Sequence, residues 1–203
     1  MTDAADQIIE IYRKHGLVWE ASRSRSLFEK VWLDRFQGLL PSGGAVLDLG
    51  CGSADPVARY FIERGFAVTG IDTSPPLLGL AQERFPEHRW LLSDMRGLSL
   101  PRRFDGILAW NSFFHLRWDD QRRMFEVFQR HAAPAAALMF TSGPAHGEAI
   151  GALQGEPLFH ASLNGDEYRG LLDAHGFDVV AHVREDPDCN SHTVWLARAR
   201  SGR

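Results

Sequence analysis

The chain has 203 residues, of which 44% are hydrophobic, and a formal net charge of -4, values that fit one globular domain. Its basic residues are spread along the chain and mixed with acids, so no basic stripe predicts a nucleic-acid partner. Cys51 and Cys189 form no CxxC pair, which argues against a zinc site and a disulfide framework and favours a cytoplasmic protein. The acidic N-terminus lacks the apolar core of a signal peptide, and no apolar run approaches the ~20 residues of a membrane span.

Two amphipathic helices are predicted at the start of the chain. Apolar residues recur at helical spacing over Ala4–Lys14 and over Ser26–Leu40. The stretch Pro41–Gly44 then ends the second helix. We expect residues 1–40 to form a helical cap.

From Ala45 onward the pattern alternates between strands and helices. The predicted strands are Ala45–Leu49, Phe66–Ile71, His88–Leu92, Phe104–Trp110, Ala135–Ser142, Phe177–Arg184 and Ser191–Ala199. The predicted helices are Asp55–Arg64, Ser74–Phe85 with Ser74 as its N-cap, Asp119–His131 and Gly165–Ala174. This alternation implies a doubly wound α/β fold with a mostly parallel sheet and helices on both faces. No helix separates the last two strands, so we expect them to form an antiparallel hairpin.

Residues 143–164 form a long, glycine-rich segment. A loop of this length inside a compact domain is more often functional than idle. We expect it to act as a lid that, with the N-terminal helices, covers the site. The single domain thus divides into the cap (1–40), a cofactor-binding half (45–142), this lid (143–164) and a substrate-side half (165–203).

The strongest motif is VLDLGCGSADP, residues 46–56. Gly50 and Gly52 let the backbone turn tightly and let a ligand approach it closely. Asp48 lies near the carboxyl end of the strand, where open α/β sheets bind ligands, and it can accept hydrogen bonds from a bound amino group. The alternative is the plain strand–turn–helix of any doubly wound protein.

A nicotinamide-binding fold is the nearest rival, since its fingerprint is G-x-G-x-x-G after the first strand. Here the third position is Asp55, close to the helix N-terminus where a pyrophosphate would sit. Two negative groups in that place would repel each other. A cofactor without phosphates therefore suits this turn better.

Two further acids follow the next two strands. Asp72, beside Thr73, ends the second strand 22 positions after Gly50, a spacing at which an acid takes the ribose hydroxyls of an adenine nucleoside. Asp94 follows the third strand and can accept from the adenine amine, while the Met95 backbone meets the ring edge. Helix capping and a simple turn aspartate are the alternatives for each acid alone.

The order Asp48-Leu49-Gly50-Cys51-Gly52, then Asp72, then Asp94-Met95, then Phe104-Asp105-Gly106-Ile107 resembles the class I S-adenosylmethionine-dependent methyltransferases, in particular their small single-domain bacterial members of types 11 and 12. The resemblance covers roughly residues 45–199. It implies a Rossmann-like, seven-stranded sheet with an antiparallel last strand, S-adenosylmethionine as cofactor and S-adenosylhomocysteine as product. Ala54 departs from the third glycine that this motif often has. The predicted cofactor-binding residues are Asp48, Gly50, Cys51, Gly52, Asp72, Thr73, Asp94, Met95 and Trp110.

In this family the residues after the fourth strand line the methyl-transfer site. Trp110 and Phe113 can place aromatic faces near the sulfonium, with core packing as the alternative. Asn111 stands where members that modify adenine or glutamine carry an Asn/Asp-Pro-Pro-Tyr/Phe run, but the prolines are missing here. His115 is the candidate general base, because histidine titrates near neutrality, although a histidine packed in an interface is an equal alternative. We predict His115 and Asn111 as the catalytic residues.

The predicted acceptor is a small molecule that is methylated on oxygen or nitrogen. Arginine in the cap can hold a substrate carboxylate. The predicted substrate-binding residues are Tyr12, Trp19, Arg23, Phe113, Phe114, His146 and His160. No metal is expected, and the oligomeric state stays open. A non-catalytic module that binds S-adenosylmethionine or S-adenosylhomocysteine, and a nicotinamide-dependent oxidoreductase, remain the alternative functions.

Overall fold

The computed structural model describes residues 4–201, so residues 1–3 of the predicted cap and residues 202–203 of the predicted substrate-side half lie outside the described residues. The α-helices are α1 (Ala4–Ser22), α2 (Lys30–Gln37), α3 (Val57–Ile62), α4 (Pro75–Arg84), α5 (Trp118–His131) and α6 (Gly165–Ala174). The strands are β1 (Ala45–Leu49), β2 (Ala67–Asp72), β3 (Arg89–Leu92), β4 (Phe104–Ala109), β5 (Ala132–Ser142), β6 (Gly147–Leu153), β7 (Glu156–Ser162), β8 (Phe177–Asp186) and β9 (His192–Ala199).

Seven strands form one sheet in the order β3-β2-β1-β4-β5-β9-β8. Strands β1 to β5 pair in parallel, and β9 runs antiparallel to both β5 and β8. The strand order reverses between β1 and β4, and such a switch point opens a crevice at the carboxyl ends of the strands. The predicted doubly wound fold, with its antiparallel last strand, is confirmed.

The two faces of the sheet bury different side chains of the same strand. In β1, Val46 packs in one core layer, while Leu47 and Leu49 pack in the other, and all three are fully buried. Because helices cover both faces, the strand is apolar at nearly every position. Asp48 is the polar exception, and it lies where the strand approaches the crevice.

Helix α1 runs eight residues beyond the predicted end at Lys14. Gly16 allows this extension to pack closely on α4, because a Cβ there would lie 3.1 Å from the Leu77 Cγ atom and from the Ser74 Oγ atom. Helix α2 is shorter than predicted, since it begins at Lys30 and ends at Gln37. Tertiary packing, which local periodicity does not record, sets both lengths.

The predicted lid is a β-hairpin and not a loop. Strands β6 and β7 pair antiparallel as a separate two-stranded sheet. Gln154 and Gly155 connect them, both with positive φ angles (52° and 82°), which fits a tight two-residue hairpin turn. Strand β7 packs against α1 and against the turn Phe113–His115. The hairpin therefore supports the cap side of the crevice.

Candidate functional site

A cavity lies at the carboxyl ends of β1, β2, β3 and β4, and α1 forms its opposite wall. The sheet side contributes residues from these four strand ends and the turns that follow them, among them Gly50, Gly52, Ile71, Asp72, Thr73, Asp94, Met95, Asn111, Ser112 and His115. Helix α1 contributes Ala5, Asp6, Ile8, Ile9, Tyr12 and Trp19. The crevice expected at the switch point is thus closed on one side by the predicted cap.

The two glycines of the first turn serve different purposes. Gly50 and Gly52 both adopt positive φ angles, 79° and 54°. A Cβ on Gly50 would lie 2.3 Å from the Ser112 Cβ atom, so this glycine lets the β1 and β4 turns pass each other. A Cβ on Gly52 would meet only the Trp19 ring at 3.7 Å and Leu77 at 4.0 Å, both of which line the cavity. The position of a side chain at Gly52 is therefore open to the cavity, whereas that at Gly50 is filled by Ser112.

Asp72 ties the end of β2 to both neighbouring turns. Its Oδ2 accepts a hydrogen bond from the Gly52 N–H, and its Oδ1 accepts one from the Ser74 N–H, each at 2.8 Å. Ser74 stands at the predicted N-cap position, but its hydroxyl donates to the Tyr12 carbonyl of α1 instead of capping α4. Burial raises the pKa of Asp72, although its backbone hydrogen bonds oppose the rise. Each carboxylate oxygen keeps acceptor capacity on the cavity side.

Asp48 is 3% exposed and lies outside the lining of the cavity. Burial, followed by the nearby charge of Asp72, raises the pKa of Asp48 to about 7, and Arg23 opposes the rise. Two carboxylates close together in a buried place create a negative potential. A cation bound in the cavity would relieve it.

Asp94 is held by Arg96, a residue that the sequence analysis missed. The Arg96 guanidinium donates to both carboxylate oxygens, and the Arg96 N–H donates to Oδ1 at 2.9 Å. Burial acts to raise the pKa of Asp94, but the hydrogen bonds and charge of Arg96 outweigh it and hold the pKa below its usual range. Both side chains line the cavity, where they form an ion pair.

His115 joins the cap to the hairpin. Its Nε2 lies 3.1 Å from the Tyr12 hydroxyl, and its Nδ1 lies 2.8 Å from the Phe159 carbonyl oxygen. The rings of Phe114 and His160 pack against it at centroid distances of 4.9 Å and 4.8 Å. Burial lowers the pKa of His115 to about 4, so the ring is neutral at pH 7.

Asn111 and Ser112 complete the wall beside His115. Asn111 has a positive φ angle of 51°, and its N–H donates to the Thr141 Oγ1 at 2.9 Å. The Ser112 hydroxyl donates to the Leu49 carbonyl at 2.6 Å. These bonds fix the turn after β4 against β1 and β5, which places Asn111 on the cavity.

Several predicted site residues lie away from the cavity. Trp110 stacks on His192 at 5.7 Å in one core layer, and Phe113 is fully buried among aromatic rings in the other. His146 is exposed and stacks on Trp118. The Cys51 side chain points toward Gly70 of β2. None of these four residues lines the cavity, and their ligand contacts stay predictions.

Arg23, Phe114 and His160 stand behind the residues that line the cavity. Arg23 lies over the Trp19 ring at 5.0 Å and donates to the Asp55 carbonyl. Phe114 and His160 contact His115 instead of the cavity itself. None of these three residues lines the cavity, so their contact with a substrate stays a prediction.

Asp55, which the sequence places near the helix N-terminus, lies among arginines. Arg25 and Arg59 both donate to its carboxylate, and their charges offset its own. Burial tends to raise the pKa of Asp55, but the hydrogen bond from Arg59 and the surrounding arginine charges outweigh it and lower the pKa. Within residues 4–201, Asp48 and Asp72 lack such arginine partners, and burial raises the pKa of each.

Comparison with known proteins agrees with this geometry. A family described as a methyltransferase domain matches residues 46–135. YqeM of Bacillus subtilis, which is named as a methyltransferase, is 29% identical over 136 residues, and a malonyl-acyl-carrier-protein O-methyltransferase of Salmonella typhimurium is 34% identical over 99 residues. These matches cover 64% and 48% of this chain but 54% and 38% of the relatives, so the chain spans about half or less of each relative's length.

A solved structure shows the same fold over nearly the whole chain. It is the 1,6-didemethyltoxoflavin-N1-methyltransferase of Burkholderia thailandensis, solved with that acceptor and S-adenosylhomocysteine bound. Its TM-score is 0.71 at 21% sequence identity, and the match covers 97% of this chain and 87% of that one. Among residues 4–201, none of the helices has the length and apolarity to cross a membrane. In the same range, no group of three His, Cys, Asp or Glu side chains is arranged to hold a metal ion.

Proposed function

We propose that this chain acts as a class I S-adenosylmethionine-dependent methyltransferase. Its match to a methyltransferase domain, its sheet topology and its fold likeness to a solved methyltransferase support this proposal. The chain transfers a methyl group from S-adenosylmethionine to an oxygen or nitrogen of a small molecule. The observation that carries this proposal is the cavity between α1 and the strand ends, with its turn of two glycines and its poorly compensated acids.

The cavity fits a cationic adenosine cofactor. Asp48 and Asp72 raise the negative potential beside Gly52, and a sulfonium with an ammonium group would offset it. Ile71, Leu77 and Met95 supply apolar walls for an adenine ring. A dinucleotide would bring a pyrophosphate to the same acids, which disfavours the oxidoreductase alternative.

In this proposal the chain holds the cofactor with residues of three strand ends. Asp72 accepts the ribose hydroxyls, the Asp94–Arg96 pair and Met95 meet the adenine, and the Gly52 backbone faces the methionine part. When bound, S-adenosylmethionine supplies a methyl group whose bond to sulfur breaks with its electron pair left on sulfur. The protein then mainly aligns the acceptor and excludes water.

The acceptor lies, in our proposal, beside Tyr12, Asn111 and His115, where α1 faces the turn after β4. Ile8 and Ile9 add an apolar surface there, which suits a small organic molecule. We also propose that the cap, the hairpin and the two halves of the sheet work as one domain. We place this domain in the cytoplasm, in keeping with its two buried cysteines, which form no disulfide.

Titration calorimetry with S-adenosylmethionine, S-adenosylhomocysteine and NAD tests the proposed cofactor. We expect both adenosyl ligands to bind and NAD to give no heat of binding. Release of S-adenosylhomocysteine during incubation with a panel of small acceptors tests turnover. Tight NAD binding without a response to the other two ligands would overturn the proposal, whereas binding without turnover of any acceptor would favour a non-catalytic module.

A further inference from the structure

The direction of one hydrogen-bond chain in the cavity is fixed by the atoms that form it. The chain runs from Tyr12 to His115 Nε2 (3.1 Å), and from His115 Nδ1 to the Phe159 carbonyl (2.8 Å). A backbone carbonyl can only accept, so Nδ1 must carry the hydrogen. In a neutral imidazole the other nitrogen is then an acceptor.

The ring is neutral under ordinary conditions. His115 is 8% exposed, and burial lowers its pKa to about 4, although the hydrogen bond to the Phe159 carbonyl opposes the decrease. Nε2 therefore accepts, and the Tyr12 hydroxyl must donate to it. Burial and the charge of Asp72 raise the pKa of Tyr12 to about 12, so the phenol keeps its hydrogen.

This direction determines what Tyr12 offers to the cavity. Its single hydrogen is used toward His115, so Tyr12 meets a ligand with the remaining lone pairs of its oxygen. The nearby arginines of the cavity wall are directed at acids, since Arg96 bonds Asp94 and Arg117 bonds Asp6 at 3.1 Å. The Ser112 hydroxyl is also used within the protein, by the Leu49 carbonyl.

We propose that Tyr12 and His115 select an acceptor whose attacking atom carries a hydrogen, a hydroxyl or an amine, and discriminate against a carboxylate. This inference rests on the proposed function, whose acceptor it narrows. A hydroxyl or amine of the acceptor can donate a hydrogen bond to the Tyr12 oxygen. A carboxylate can only accept, and the Tyr12 hydroxyl has no hydrogen left to donate to it. The negative charge of Asp72 nearby disfavours a carboxylate further. His115 is the positioning residue, because its Nε2 accepts the phenol hydrogen and so orients the Tyr12 hydroxyl.

The same chain also conducts the proton that the acceptor loses. As the acceptor atom bonds to the methyl carbon, its hydrogen moves to the Tyr12 Oη, and the phenol hydrogen moves to His115 Nε2. His115 becomes an imidazolium, and once the product leaves it returns the proton through the Tyr12 hydroxyl to solvent in the cavity, a return that the low pKa of His115 favours. One proton leaves for each methyl group gained, so no other reactant is needed.

Nitrogen-15 NMR of the histidine-labelled protein, saturated with S-adenosylhomocysteine at pH 7, tests the direction of the chain. We expect the hydrogen of His115 on Nδ1 and an unprotonated Nε2. Tyr12→Phe should shift the Nε2 resonance, while His175, whose Nδ1 bonds the Leu171 carbonyl, should not change. A hydrogen on Nε2, or an Nε2 resonance that ignores Tyr12→Phe, would overturn the proposal without any need for turnover.

Matched acceptors test the selection itself. Phenol, benzylamine and benzoate are compared at saturating S-adenosylmethionine, with release of S-adenosylhomocysteine as the readout. We expect phenol or benzylamine to react at least tenfold faster than benzoate, and Tyr12→Phe to reduce this preference below threefold. Faster methylation of benzoate would overturn the inference. Failure of all three, with S-adenosylmethionine bound and the predicted histidine tautomer observed, would instead count against methyl transfer in the proposed function and favour the non-catalytic module.

Discussion

Replacing Asp48 with asparagine removes the buried charge behind the glycine turn and keeps the size of the side chain. The pKa of Asp48 lies at about 7 in the fold, against 3.8 for an ordinary aspartate. Because the folded-state pKa lies above the unfolded value, the fold favours the protonated carboxyl group. The stability that this group contributes to the fold is fully present below about pH 4 and is lost as the pH rises through about 7. At about 1.4 kcal/mol per pKa unit, the ionised carboxylate costs about 4 kcal/mol at pH 8.

We therefore expect Asp48→Asn to be more stable than the parent at pH 8 by up to about 4 kcal/mol, and the gain to shrink toward pH 4. For a domain of this size, that gain raises the melting temperature by roughly 10 °C. Urea and thermal unfolding at pH 4, 6 and 8 measure it, with Asp178→Asn on the exposed β8 surface as the matched control. The same variant should bind S-adenosylmethionine more weakly, because it lacks the charge that favours a cation. Equal stability of parent and variant at every pH would refute the burial argument.

The remaining predictions concern the glycine turn, the second acid and His115. Gly50→Ala should abolish stable folding, because its Cβ would lie 2.3 Å from Ser112. Gly52→Ala should fold with a loss of stability of about 1 kcal/mol and bind S-adenosylmethionine at least tenfold more weakly. Circular dichroism measures folding and calorimetry measures binding, and equal behaviour of the two variants would contradict their different roles. Asp72→Ala should weaken cofactor binding more than tenfold by calorimetry, and an unchanged dissociation constant would count against its ribose contact. Because burial lowers the pKa of His115 from 6.5 to about 4, its contribution to stability is present above pH 6.5 and falls by about 3 kcal/mol toward pH 4. His115→Asn should flatten that acid limb in urea unfolding, and an unaltered limb would contradict the burial of a neutral ring.

The features that local sequence records were predictable. The glycine turn, the buried strand before it and the acids at the ends of β2 and β3 each depend on a few neighbouring residues. Asp72 and Asp94 line the same cavity because parallel strands bring their carboxyl ends to one edge of a sheet. A regular α/β alternation thus carries the fold and the location of the site together.

The features that depend on distant contacts were not predictable. Tyr12 and His115 meet across 103 positions, and the arginines that neutralise Asp55 come from both sides of it in sequence. The positive φ angle of Asn111 redirects the chain after β4, so Trp110 and Phe113 enter opposite core layers. Their aromatic character gave no indication of which way each ring would point.

The sequence contains a hairpin signal that our sequence analysis missed. Gln154-Gly155 separates two seven-residue segments that pair throughout their length. A two-residue turn ending in glycine between apolar segments indicates a hairpin. The length of the whole segment, and its glycines, favoured a loop instead. The hairpin matters for the site, because its strand β7 provides the Phe159 carbonyl that orients His115.

A crystal structure with S-adenosylhomocysteine tests the central claim most directly. The account predicts that the ligand occupies the cavity between α1 and the strand ends, with its ribose hydroxyls within hydrogen-bond reach of Asp72, its chain against Gly52 and its sulfur facing Tyr12 and Asn111. A ligand bound elsewhere, or a ribose out of reach of Asp72, would contradict it.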